Sequence, residues 1–364
     1  MYNTEFWSGK SVLITGHTGF KGSWLVMWLD SMGAKIVGYA LDPYTDKDNF
    51  VISRLSDRLV DIRGDICDYS KLKDVFDTYK PEIVFHLAAQ PLVRKSYEEP
   101  VETYSVNVMG TMHVLECIRH TDSVKEAIII TTDKCYANKE QIWGYRECDE
   151  LGGYDPYSSS KACAEILVDS YRNSYFNIEK YDEHKKAIAT VRAGNVIGGG
   201  DWSTDRLIPD CIKAFFTDKT VEIRAPKSIR PWQHVLDALS GYILLAEKLW
   251  FEPVKYRGGW NFGPDMTSFK DVWTVVNKVI KEIEMGRAVD CSDKEHVHEA
   301  ELLFLDTTKA RLQLGWSPVW DIDETVKQTV DWYKTLYNES DSANMYEYGM
   351  NQIYEYVKAM KEKK

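Results

Sequence analysis

Residues 11–41, SVLITGHTGFKGSWLVMWLDSMGAKIVGYAL, constrain the fold more than any other stretch. The apolar run KSVLITG reads as a short buried strand that closes on Gly16. GSWLVMWLDSMGA follows with apolar residues at helical spacing, and Gly33 suits its C-cap. KIVGYAL is a second strand. A strand, a helix and a second strand in so short a span predict a parallel βαβ unit. The turn between the first strand and the helix, TGHTGFKG, holds Gly16, Gly19 and Gly22. In such a loop the first glycine makes the tight turn, the second lets the backbone approach a pyrophosphate and the third lets helix and strand pack closely. The helix N-terminus then offers free N–H groups to the phosphates. Thr18, Phe20 and Lys21 complete this candidate cofactor loop.

The rhythm continues. YSKLKDVFDTYK is helical and is followed by Pro81 and the apolar strand EIVFHLAA. VETYSVNVMGTMHVLECIRH is a long helix, and AIIITT is the next strand. PYSSSKACAEILVDSYRNSYF is a helix opened by Pro156, and AIATVRAGNVIG runs from strand into loop. This alternation predicts an α/β chain with a doubly wound parallel sheet, helices on both faces. After about Ala193 the pattern gives way to GGGDW, IRPWQHV and GGWNFGP, rich in Gly, Pro and Trp. The expected organisation is a dinucleotide-binding domain over 1–193, to which a segment of about 231–265 returns. A smaller mixed α/β substrate domain covers 194–364. The tail, KAMKEKK, is expected to fray from a helix end.

Charge narrows the partners. Lys and Arg total 45 against 56 Asp and Glu, a net charge of −11, and no basic block interrupts the chain. Nucleic acid and anionic membrane are therefore not expected partners. The N-terminus lacks the apolar core of a signal peptide, and no apolar run is long enough to span a bilayer. Seven cysteines without metal-ligand spacing read as reduced thiols of a cytoplasmic protein. His296 and His298 have no further ligands nearby in sequence, so no metal is expected.

Two constellations carry chemistry. Asp42 lies 20 residues past Gly22, where an acid binds the adenosine ribose hydroxyls and favours NAD over NADP; Asp65, after the third strand, is placed for the adenine edge. Tyr157 and Lys161 are four apart at a helix start and so share a face. A neighbouring ammonium favours phenolate, and a phenolate can take a proton from a sugar hydroxyl while hydride leaves the same carbon. Lys161 could also hold the nicotinamide ribose. Thr132, at a strand end, could bond the same hydroxyl.

The glycine loop, HLAA at His86–Ala89, the Thr132 strand end, Tyr157-x-x-x-Lys161 and HVLDAL from His234 together resemble the extended short-chain dehydrogenase/reductase family. The resemblance runs from about Gly9 to Tyr333. It implies NAD as cofactor and adds Ile66 and Ala88 to its contacts. Asp133 and Lys134 directly follow Thr132. Nucleotide-sugar 4,6-dehydratases of the family carry an Asp-Glu pair there, and its epimerases lack such a pair. Asp-Lys departs from the commoner pattern but resembles the branch acting on CDP-glucose, as do AAQPLVRKSY, RAGNVIGGGDW, DRLIPD and IRPWQHV.

That branch implies oxidation at carbon 4, elimination of water across carbons 5 and 6, and return of the hydride to carbon 6, a step toward deoxysugars for surface polysaccharide. By analogy Asp133 is the acid and Lys134 the base, each acting in its neutral form; the reverse assignment, or a Lys134 that only stabilises enolate charge, stays open. A 4-epimerase is the enzyme alternative and an NAD(P)-sensing regulator the non-enzymatic one. The diphosphate calls for cations, with Arg192, Arg206 and Arg230 as candidates. The resemblance places Asn195 at the pyrophosphate or sugar, Gln90 and Arg94 beside the hexose, and His298 near the nucleotide. Trp24 and Trp28 read as core, whereas Trp202 and Trp232, beside Gly and Pro, are pocket candidates. Family analogy makes the helices from Val101 and Tyr157 the interface of a homodimer or dimer of dimers.

Overall fold

The computed structural model describes residues 3–292, 302–338 and 344–363. Seven parallel strands form one sheet: β1 (Ser11–Thr15), β2 (Lys35–Ala40), β3 (Val60–Arg63), β4 (Ile83–His86), β5 (Glu126–Ile130), β6 (Ala187–Ala193) and β8 (Gly258–Phe262). Their spatial order is β8-β6-β5-β4-β1-β2-β3. Strand order reverses between β1 and β4, so a crevice opens at their carboxyl ends, the usual ligand position in such sheets. The central strands β1, β4, β5 and β6 are apolar on both faces because helices cover both. Leu13 belongs to the core on one side of the sheet, Val12 and Ile14 to the core on the other.

The helix after β1, α1 (Phe20–Ser31), is apolar nearly all round, and Trp24 through Leu29 are all buried. The reason is a layer on each side. The sheet covers one face, and α9 (Met345–Glu362) lies along the other, with Gly349 against Met27 and Trp24. Tyr356 of α9 donates to Asp237 at 2.7 Å, fixing this helix to α7 (Val235–Phe251). The expected fraying of the tail is therefore corrected: the helix continues to Glu362, and Lys363 Nζ reaches the carbonyls of Pro318 and Val319 at 3.0 and 3.1 Å.

After α2 (Tyr69–Tyr79), the long helix around Val101 is α3 (Pro100–Tyr104) and α4 (Gly110–Arg119), joined through a wider π-type turn over Ser105–Met109. It packs beside α5 (Pro156–Ser174). Beyond β6 the chain builds α6 (Leu207–Phe215) and β7 (Thr220–Ile223), which pairs in parallel with Arg287–Asp290. It then returns through α7 to lay β8 beside β6, in register from Gly258 opposite Ala189 to Phe262 opposite Ala193. Another long helix, α8 (Ile322–Asn338), precedes α9. Among the described residues, no helix is long and apolar enough to cross a membrane, and no group of His, Cys, Asp and Glu is arranged to hold a metal ion. All seven cysteines are free.

Candidate active site

The glycine loop sits at the strand-order reversal. Gly16 has φ +74°, and a Cβ there would lie 2.7 Å from Ala88 N. A Cβ at Gly22 would lie 2.1 Å from Gly16 O. Both positions exclude any larger residue. Gly19 is the extended N-cap of α1 and has no side chain to satisfy the N–H groups of the first turn. This cradle fits a pyrophosphate, and with it a dinucleotide cofactor. Thr18 anchors the loop by donating to Leu41 O at 3.0 Å, and Phe20 packs into the core. Asp42 lies just past the end of β2, largely exposed, 3.6 Å from Arg63. Asp65 accepts from Cys67 N at 2.8 Å through its side chain and from Tyr39 at 2.8 Å through its carbonyl. Ile66 is buried against Gly110, and Ala88 N donates to Thr15 at 3.3 Å.

Beside this crevice lies a cavity of about 800 Å³, lined by Lys21, Thr132, Asp133, Lys134, Tyr157, Arg94, Asn195, Arg206, Arg230 and Trp232 among others. The end of β5 supplies the first wall. Beyond Ile130 the chain turns at Asp133–Cys135, with Thr132 capping the turn. Asp133 is 3% exposed and accepts from Thr132 at 2.9 Å. Gly194 makes room for it, since a Cβ there would lie 2.7 Å from Asp133 Oδ2. Burial raises the Asp133 pKa, against the pull of Lys134, Thr132, Lys21 and Arg230. That environment favours a carboxylic acid able to donate a proton.

The opposite wall is the start of α5. Asp155 caps it, accepting from Ser158 N at 2.9 Å, and Pro156 opens the first turn. Tyr157 and Lys161 are both buried. Burial pushes the Tyr157 phenol up to about 12, and the groups pulling it down are led by the Thr132 hydroxyl and the Arg206 guanidinium. Lys161, expected to supply that pull, is not among them. Lys161 instead donates to Ile130 O at 3.3 Å, and desolvation lowers its pKa to about 8. Lys21 shares this character: burial, then Arg206, bring it to about 8. Its side chain lines the cavity near Asp133, not the cofactor loop alone.

Other expectations are corrected. Arg192 is no phosphate ligand. It is 4% exposed on β6, donating to Glu165 at 2.8 and 2.9 Å and to the Tyr136 hydroxyl at 2.7 Å. Glu165 also accepts from Thr131 and Thr190, so the network braces the strand ends behind Asp133. Gln90 is buried with its amide engaged by Thr103 and Leu92; the turn it holds, Pro91–Val93, lines the cavity in its place. Trp202 is core: its indole donates to Lys47 O at 2.7 Å and its ring meets Tyr333 edge-on. Trp24 donates to Gly199 O and Trp28 packs on Tyr356, both in the core as expected. His298, with His296, lies outside the described residues.

Three arginines that do face the cavity are already paired. Arg206 meets Asp201 at 3.2 Å, and Asp205 meets both Arg94 at 3.4 Å and Arg224 at 3.0 Å. Sequence reasoning missed Asp201, Asp205 and Arg224, because only the return of β7 brings them together.

Known proteins share this sequence and this fold. A CDP-glucose 4,6-dehydratase of Salmonella typhimurium is 51% identical over 341 residues, covering 94% of this chain and 95% of its own. A bovine dTDP-D-glucose 4,6-dehydratase is 28% identical, covering 92% and 91%. The crystal structure of a dTDP-glucose 4,6-dehydratase from Bacillus anthracis in complex with NAD superposes with a TM-score of 0.72 at 21% identity, covering 90% of this chain and 97% of that one, a likeness of fold. The family model described as GDP-mannose 4,6 dehydratase matches residues 13–329, which include the glycine loop, both cavity walls and the returning β8. The chain belongs to the GDP-mannose 4,6 dehydratase family.

Proposed function

We propose that this chain is an NAD-dependent hydro-lyase that converts CDP-glucose to CDP-4-keto-6-deoxyglucose. The observation that carries the reading is the buried Asp133, its pKa raised, on the wall of the cavity that Tyr157 also lines. The 51% identity to the Salmonella CDP-glucose 4,6-dehydratase supports the same substrate.

NAD, held at the loop of Gly16, Gly19 and Gly22, would supply the hydride acceptor for carbon 4 and the hydride donor for carbon 6. Tyr157 takes the proton of the carbon-4 hydroxyl, with Thr132 holding that oxygen. The resulting ketone acidifies the hydrogen on carbon 5. Lys134 removes it while Asp133 protonates the departing carbon-6 hydroxyl, so one water leaves. A proton then returns to carbon 5. Arg206 and Arg230 hold the diphosphate, exchanging present contacts for phosphate oxygens. Asn195 and Arg94 orient the hexose.

Two copies would pair through α3, α4 and α5. Tyr97, Val101, Tyr104 and Met109 are exposed apolar side chains, as is Ile166 on α5. The seven free cysteines accord with a reducing, cytoplasmic setting.

The test is incubation with CDP-glucose and NAD in deuterated water, read by mass and proton spectra. Loss of one water with deuterium at carbon 5 is expected. Unchanged mass with inversion at carbon 4 would make the chain an epimerase, and turnover only of another nucleotide sugar would overturn the substrate.

A further inference from the structure

The cavity has a second end. Away from Asp133 and Tyr157, its wall is built by α6 and β7, and the buried Ile208, Val221 and Ile223 line it. Two carboxylates, those of Asp210 and Glu222, line the cavity among them. The other acids there have partners: Asp201 has Arg206, Asp205 has Arg94 and Arg224, and Glu150 has Lys139 at 2.9 Å. Asp210 differs. Among the described residues its carboxylate has no hydrogen bond or ion pair. Lys213, one turn on, sends its ammonium to Trp202 O at 2.7 Å instead. Burial brings Asp210 up to about 6.

An unpaired carboxylate is a poor neighbour for a diphosphate. In a cavity that admits one, such a group must meet the part of the ligand that brings N–H donors. Within a nucleotide sugar that part is the base, which lies across the diphosphate from the hexose. With the hexose at Tyr157, the base falls at the α6–β7 end. Among the pyrimidines, cytosine carries an exocyclic amine at carbon 4, whereas uracil and thymine carry a carbonyl oxygen there. A carboxylate accepts from the first and repels the second. First-turn acids also serve the helix dipole, but that role does not require a side chain on a cavity wall.

We propose that Asp210 accepts a hydrogen bond from the cytosine amine and so selects CDP-glucose over UDP- and dTDP-glucose. This rests on the nucleotide-sugar reading above.

The experiment compares kcat/KM for CDP-glucose and UDP-glucose in the NAD-loaded wild type and in Asp210→Asn. The asparagine keeps the shape and offers an N–H to the uracil carbonyl. Expected is a loss on the order of 10- to 100-fold for CDP-glucose, carried by KM with kcat little changed, and a relative gain for UDP-glucose. A second measurement needs no variant: wild-type binding of CDP against its analogue lacking the 4-amino group should weaken by a similar factor.

An unchanged CDP-to-UDP ratio in Asp210→Asn, or equal binding of the analogue, would overturn the assignment while leaving the dehydratase reading intact. So would a ratio that moves with Glu222→Gln and not with Asp210→Asn. A wild type that dehydrates no nucleotide sugar would overturn both.

Discussion

Asp133 is two things at once, a buried acid and the residue after the strand end that also places Thr132. Its carboxyl is held up by burial and has Lys134, Thr132 and Lys21 around it. Asp133→Asn keeps the volume and the bond from Thr132 but removes the proton. Oxidation at carbon 4 needs Tyr157 and not this proton, so it should proceed. Elimination should slow by roughly 10²- to 10⁴-fold, the range for losing a general acid. Stopped-flow absorbance should then show reduced cofactor accumulating at one equivalent, with little keto-deoxy product. A variant that never reduces NAD would place Asp133 in the first step instead. The places of Tyr157 and Thr132 on the cavity walls were legible because a helix start and a strand end are local patterns. Arg192 was not: its partner Glu165 is 27 residues away, on another element. Trp202 was misread for the same reason, its indole partner being 155 residues distant.

At the scale of elements, β5 joins opposite demands. Its carboxyl end leads into the turn that holds Asp133, and its first residue, Glu126, is buried at the other end. Neither carboxylate oxygen of Glu126 has a partner among the described residues. Burial holds its pKa well above the ordinary 4.5, against Lys10 and with Glu247 adding to the rise. The folded state thus binds this proton more tightly than the unfolded chain. The stability it contributes is complete below the unfolded pKa and is lost as pH rises through the folded one. Within that window each pH unit should lower stability by about 1.4 kcal/mol through this group. Glu126→Gln should remove that slope and leave the protein more stable than wild type at neutral pH. Urea midpoints at acidic and neutral pH measure it; parallel curves for the two proteins would show that Glu126 is solvated. The elements themselves were mostly legible, because strands buried on both faces read as unbroken apolar runs. The extent of α9 was not. Its role depends on Gly349 meeting Met27 and Trp24, a contact from the far end of the chain that no local pattern announces.

For the whole molecule, the proposed second copy ties assembly to catalysis through one helix. α5 carries Tyr157 in its first turn and Ile166, 56% exposed, on its outer face. Beside it, Val101 is 79% exposed and Tyr104 and Met109 are partly so. Val101 and Tyr104 lie one turn apart on α3 and form one stripe, so a partner covering Val101 also covers Tyr104 and steadies α5. A two-fold axis repeats every contact, and a charge placed in the stripe is buried twice. Val101→Glu with Ile166→Glu should therefore weaken association by about 2 kcal/mol or more per site, enough to give monomer at micromolar concentration in analytical ultracentrifugation. Because the outer face of α5 then loses its cover, the monomer should also lose activity, with the deficit in kcat for carbon-4 oxidation and not in CDP binding, which the distant α6–β7 wall governs. A double variant that stays dimeric would move the interface elsewhere on the surface. One that is monomeric with full kcat would mean that α3 and the sheet alone hold Tyr157 in place.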